Sequence, residues 1–154
     1  MTTYKHTQVS YFMIVIALAI FVFFTRVHML ALAEPPSPDS GTNLAVISFM
    51  VIILFTISSF TALTVSLDEK FLRLKFTYGI FGKKFLLNDI ASAKVVKNHW
   101  YYGWGIRLIF LPQKVWIYNV SGFDAVEIVL KNGKVYRIGT DDPAELERAI
   151  KQNI

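Results

Sequence analysis

The sequence predicts a membrane α-helical hairpin followed by a mainly-β domain that ends in an α-helix. Three observations carry that expectation. Two stretches without a formal charge, Thr7 to Thr25 and Ser40 to Leu67, lie in the first 67 of 154 residues, and nothing like them follows. From Leu63 the apolar residues recur with period two, the signature of strands. Near the C-terminus, Asp142-Pro143 opens a short amphipathic segment.

A bilayer core is about 30 Å thick and a helix rises about 1.5 Å per residue, so roughly 20 apolar residues cross it. Both stretches suffice, and the spans are expected at about 8–30 and 44–62. Residues 1–62 then form the hairpin, and 63–154 the domain. The connector, Glu34-Pro35-Pro36-Ser37-Pro38-Asp39-Ser40-Gly41-Thr42-Asn43, is rich in turn formers and too short to be a domain. In the second span Thr56, Ser58, Ser59 and Thr61 can bond back to their own helix or pack a neighbour closely. Arg26 and His28 fall at the outer end of the first span, where such groups snorkel to the interface. The second stretch is too long for one span, and its end reads as the first strand.

Charge placement orients the hairpin. One basic residue, Lys5, precedes the first span and one, Arg26, lies toward the connecting segment, whereas Lys70, Arg73, Lys75, Lys83 and Lys84 follow closely after the second. The positive-inside rule puts both termini and the domain in the cytoplasm. A competing reading takes Tyr11 to Phe24 as the apolar part of a signal sequence cleaved after Ala31-Leu32-Ala33. Arg26 and His28, between that run and the site, argue against it.

Within the domain, Leu63, Val65 and Leu67 alternate with polar residues, and so do Leu72, Leu74, Phe76 and Tyr78. Asp68-Glu69-Lys70 reads as the hairpin loop between them. Further strands are expected at about Lys83–Leu87, Ser92–Lys97 and, in one or two pieces, Ile106–Val120. The last pair, Val126–Leu130 and Val135–Gly139, flanks Lys131-Asn132-Gly133-Lys134. A two-residue loop would mix charge into both faces. A three-residue loop with Gly133 left-handed sets Val126 against Ile138, Ile128 against Tyr136 and Glu127 against Arg137, giving an apolar face and a cross-strand ion pair. The closing helix has Asp142 as N-cap, Pro143 at N1, and Glu145 at N3 to complete a capping box. Leu146, Ala149 and Ile150 form its apolar stripe. About seven strands and one helix make a small barrel or sandwich, plugged at an open end by the helix.

Three segments of the domain, taken in order, resemble a known group. Trp100 with Tyr102-Gly103-Trp104-Gly105-Ile106-Arg107, then Tyr118-Asn119-Val120-Ser121-Gly122, then Arg137-Ile138-Gly139-Thr140-Asp141-Asp142-Pro143 are similar to uncharacterised bacterial membrane proteins with a pleckstrin-homology-like (PH-like) domain behind one or two spans. The resemblance covers roughly Leu63 to Gln152. It implies a strongly bent seven-stranded barrel capped by a C-terminal α-helix, in the bacterial cytoplasmic membrane, and carries over no catalytic residue. The phosphoinositide-binding branch of that fold uses basic residues around its first hairpin. Here Asp68 and Glu69 occupy that loop, a departure that speaks against such a ligand.

No catalytic set is visible in the sequence. There is no cysteine, which removes disulfides, thiolate metal sites and a Cys nucleophile. His6, His28 and His99 lack ligand spacing, and no phosphate loop or nucleophile elbow is present. A turn accounts for Ser121-Gly122, and helix capping for Asp142. Neither metal nor cofactor is expected, and the chain reads as non-enzymatic. Two surfaces remain. The aromatic run gives Trp100, Tyr101, Tyr102, Trp104 and Arg107 as a candidate interaction surface, for a protein partner or lipid headgroups, against the plainer reading that its rings pack in the core or at the barrel rim. Lys70, Arg73, Lys75, Lys83 and Lys84 are candidate contacts for anionic phospholipid. Nucleic acid is not expected of a membrane-tethered domain with a net charge of only +5. The leading expectation is a membrane-anchored interaction or scaffold module. An anionic-lipid sensor and an accessory subunit of a transporter or envelope complex are the alternatives.

Overall fold

The structure, a computed structural model, describes residues 2–32, 40–110 and 113–154. The chain runs β1 (Thr2–Val9), α1 (Tyr11–Leu32), α2 (Ser40–Ser58), β2 (Ala62–Asp68), β3 (Phe71–Phe76), β4 (Gly82–Leu86) and β5 (Ile90–Lys97). It continues through β6 (Gly105–Ile109), β7 (Val115–Asn119), β8 (Asp124–Leu130), β9 (Val135–Gly139) and α3 (Pro143–Lys151). The prolines of the connector and the Ala33–Glu34 junction lie outside the described residues. Ser40 to Asn43, expected in the connector, belong to α2.

Both helices are apolar on every side. Phe12, Val15, Leu18 and Val22 of α1 and Phe49, Val51, Ile52 and Phe55 of α2 all stand exposed. A helix of that kind needs an apolar surround, and among the described residues the chain supplies only the contact between the two helices and a few aromatic rings at their base. By length and composition α1 is able to cross a membrane, while the described apolar part of α2, Leu44–Ser58, is shorter. Hydroxyls in and just past α2 bond back as expected, Thr56 to the Ile52 carbonyl and Ser59 to that of Phe55, both at 2.7 Å.

The domain is two sheets with the core between them, ordered β1-β2-β3-β4 and β5-β8-β9-β7-β6. Among the described residues they do not close into a barrel, and there are nine strands where about seven were expected. Leu63, Val65 and Leu67 of β2 and Leu72, Leu74 and Phe76 of β3 face inward against Val126, Ile128, Tyr136 and Ile138 of β8 and β9. From α3, Leu146 and Ile150 complete this core, the helix lying on β5, β8 and β1. The pairing of β7 with β9 is parallel, so the second sheet is no simple meander.

The β8–β9 hairpin takes the register its charges demanded. Val126 faces Ile138, Ile128 faces Tyr136, and Glu127 faces Arg137. Gly133 sits at φ 81°, as the three-residue loop requires. Two expectations fail. Tyr78 lies beyond the end of β3 and is exposed. Asp142 caps α3 with no side-chain bond, and the reciprocal half of the box is absent too, because Glu145 pairs with Arg148 and the Asp142 N–H donates to Thr140 Oγ1 at 3.1 Å.

The element least expected is β1. Its residues fall in what the sequence suggests is a free tail and the start of the first span, yet they pair with all of β2, from Thr2–Asp68 to Val9–Ala62. Ser10 alone separates β1 from α1. Its hydroxyl accepts the Met13 N–H at 3.3 Å, an N-cap bond, while its own N–H donates to the Thr61 carbonyl at 2.7 Å. The hairpin is thus inserted into the domain between two neighbouring antiparallel strands, and it is bonded across its base.

Candidate functional site

The strand directions gather the loops at one end of the domain around that base. β3 runs back toward the helices, with Phe76 opposite Leu63, so the β3–β4 loop lies beside α2. There Tyr78 stacks on Phe55, rings 5.3 Å apart, and its hydroxyl donates to Ser58 Oγ at 3.0 Å. Phe81 stacks on Phe60, just past α2. The β5–β6 segment brings Trp104 against Phe12 of α1, rings 5.0 Å apart. Each helix is therefore met at its base by an aromatic ring from the domain.

The five aromatic-segment candidates divide. Trp100 and Tyr101 are 79% and 60% exposed on a single 3-10 turn, Tyr101 stacked on His99. Tyr102 instead folds over the outer face of the second sheet. There it packs with Val115, Ile117 and Val135 and lies under the Arg137 guanidinium. Arg107 is structural as well, donating from Nε to the Trp104 carbonyl at 3.2 Å. That leaves Trp100 and Tyr101 as the projecting pair. On the same outer face Glu127, 6% exposed, accepts from Arg137 Nε at 2.9 Å and lies 3.2 Å from Lys94 Nζ.

The basic candidates lie mainly on the outer face of the first sheet. Arg73 stands between Ser66 and Lys84 in register, and Lys75 between Thr64 and Gly82. Lys83, opposite the buried Leu74, belongs to the other side of edge strand β4, and Lys70 sits in the β2–β3 turn. Arg73 is paired with Asp68 at 2.8 Å. The Lys70 N–H, followed by that of Phe71, bonds the Asp68 carboxyl and, with Arg73, holds it below the usual carboxylate range. Lys84 Nζ lies 3.4 Å from the centre of the Phe71 ring. Sequence reasoning missed Lys5, which register places opposite Ser66 and so at the end of the Arg73 row. The signal was the alternation in β1: Lys5, Thr7 and Val9 on one side, Tyr4, His6 and Gln8 on the other.

The inward side of β1 is tied down by polar contacts. His6 Nε2 bonds Asp141 Oδ1, and Gln8 Nε2 donates to the Ser121 carbonyl at 3.0 Å. Burial, with Asp142 nearby, pushes the Tyr4 hydroxyl up to about 12. Among the described residues no group of three His, Cys, Asp or Glu side chains has the arrangement to hold a metal ion. Comparison of the chain with family models, curated proteins and solved structures finds no match.

Proposed function

We propose that this chain is an integral protein of the bacterial cytoplasmic membrane, crossing it twice through α1 and α2. Its PH-like domain is held at the cytoplasmic face as a non-enzymatic interaction module for a protein partner. The observation that supports this most is the pairing of β1 with β2. Strands joined from Val9–Ala62 outward lie on one side of any membrane, so a chain that leaves through α1 has to return before Ala62. Cleavage after Ala33 would strip β1 from its sheet, which weighs against a signal sequence. The basic residues after α2 favour the cytoplasmic side. The aromatic rings against Phe12 and Phe55 suit the interface level. The two-sheet domain with its terminal helix agrees in outline with a PH-like fold, and the parallel β7–β9 pair is its departure. Trp100 and Tyr101, projecting from the segment whose Trp104 meets α1, are the surface we assign to the partner.

The absence of cysteine makes topology directly testable. Ser37→Cys should react with a membrane-impermeant maleimide in intact cells, and Asn132→Cys only after permeabilisation. Labelling of Asn132→Cys in intact cells, or a mature chain beginning at Glu34, would overturn the two-span reading. Partner capture in mild detergent should be lost in the Trp100→Ala/Tyr101→Ala variant. Recovery of every partner with that variant would remove the surface assignment.

A further inference from the structure

The outer face of the first sheet carries two cross-strand rows that no single strand reveals. One is Lys5–Ser66–Arg73–Lys84, and the next toward the helices is Thr7–Thr64–Lys75–Gly82. Their members on β1, β2 and β3 line a groove of about 540 Å³ that reaches Thr77 and Tyr78 at the base of α2, and Lys84 and Gly82 on β4 lie beside it. Lys5, Thr7, Lys75 and Lys84 stand exposed on this face. Arg73 is balanced by Asp68, but among the described residues Lys5, Lys75 and Lys84 form no ion pair. Ser66 stands between Lys5 and Arg73 in register, and Thr7 and Thr64, whose hydroxyls bond each other at 2.9 Å, continue the row of Lys75, so the face offers charge and hydroxyl groups together.

We infer that this face binds the phosphate headgroup of an anionic phospholipid from the membrane in which the hairpin is anchored. The inference rests on that anchoring but not on the protein partner. Distance from the hairpin base supports it. Strands rise about 3.3 Å per residue, so the Thr64–Lys75 row stands about 10 Å beyond Thr61 and the Lys5–Arg73 row about 17 Å beyond it. The headgroup layer is roughly 5–8 Å deep on each side. A lysine stem at Lys75 bridges the remaining gap, as long basic side chains do at interfaces. Lys5 and Lys84 act from within about two Debye lengths, adding attraction but no close contact. The Thr77 and Tyr78 hydroxyls already sit at the level of the helix end.

The test uses the full chain in mild detergent, titrated with phosphatidylglycerol, phosphatidylcholine or inorganic phosphate, with retained ligand read by native mass spectrometry. Phosphatidylglycerol should bind at least tenfold tighter than phosphatidylcholine. The triple variant Lys5→Gln/Lys75→Gln/Lys84→Gln should lose that preference. Removing the same charge elsewhere, in Lys114→Gln/Lys131→Gln/Lys134→Gln, should leave it within twofold. The arginine version of the first triple should restore binding, which separates loss of charge from loss of fold. Equal binding of the two lipids would overturn the inference, as would equal weakening of both glutamine triples. Displacement of the lipid by inorganic phosphate at equal concentration would make the ligand soluble and overturn it too. None of these results bears on the cysteine labelling pattern.

Discussion

Replacing Glu127 with alanine should destabilise the domain far more than replacing any other acidic residue of the second sheet. Glu127 is 6% exposed, with Arg137 Nε at 2.9 Å and Lys94 Nζ at 3.2 Å. The variant leaves Arg137, whose side chain is 20% exposed and sits against Tyr102, without its counter-charge. Breaking a fully buried pair from one side costs about 3–5 kcal/mol. Residual access of water to Arg137 reduces that to about 2–4 kcal/mol here. For a domain of this size 1 kcal/mol moves Tm by about 4–8 °C, so a fall of about 8–32 °C is expected. Lys94 is 66% exposed, and Lys94→Ala should cost below about 1 kcal/mol. Replacing both buried partners, as Glu127→Leu/Arg137→Met, should recover most of the loss, because no buried charge remains. Near-UV circular dichroism against temperature, on the chain in mild detergent, measures all three. A Glu127→Ala variant melting within about 3 °C of the parent would refute the reasoning. So would a double variant as unstable as the single one.

Three further outcomes follow from the same geometry. Gly139→Ala puts a methyl 2.1 Å from Asn119 Oδ1 and 3.0 Å from the Asn119 Cα, in a buried strand pair. It should cost about 1–3 kcal/mol by overpacking, and an unchanged Tm would show that Asn119 yields freely. Asp142→Ala should cost less than the usual cap loss of about 1 kcal/mol, and less than Thr140→Val, since Thr140 holds the Asp142 N–H. The reverse order in denaturant midpoints would restore the side-chain cap. Tyr4 should ionise near pH 12, seen at 295 nm as the difference between the parent and Tyr4→Phe. Its folded value lies above the ordinary 10.0, so its contribution to stability is complete below about pH 10 and is lost as pH rises toward 12. Ionisation together with the exposed tyrosines would show that β1 does not bury it.

What could be read from the sequence depended on whether a strand's two faces differ in polarity. β8 and β9 are legible because only one register keeps Glu127 opposite Arg137 and Val126 opposite Ile138. β2 and β3 are legible from their regular apolar alternation. β1 escaped for the opposite reason. Its inward residues include His6 and Gln8, whose partners, Asp141 and the Ser121 carbonyl, lie more than a hundred residues away. An inward polar residue looks like an exposed one until its distant partner is known. The parallel β7–β9 pairing likewise depends on a long-range crossing that no local pattern encodes. At the site, the five basic residues after α2 were visible, but Lys5 joined them only once β1 had a place in the sheet. The aromatic run was visible as a unit, and its division into projecting Trp100 and Tyr101 and packed Tyr102 and Trp104 was not.

The pairing of Val9 with Ala62 also sets an order of events during synthesis. β1 is made first, but its partner arrives only after the whole hairpin has been translated. Closing a flexible loop of about 50 residues costs about 3.5 kcal/mol in chain entropy, before any constant term. In the proposed two-span arrangement, the inserted helices, packed about 8–10 Å apart, would hold the strand ends together already. Under that proposal insertion lowers the entropic barrier to completing the first sheet. On the same proposal, a chain that fails to insert meets that closure cost unaided, and until β1 pairs, the edge of β2 and the apolar helices stay open to capture by chaperones or proteases.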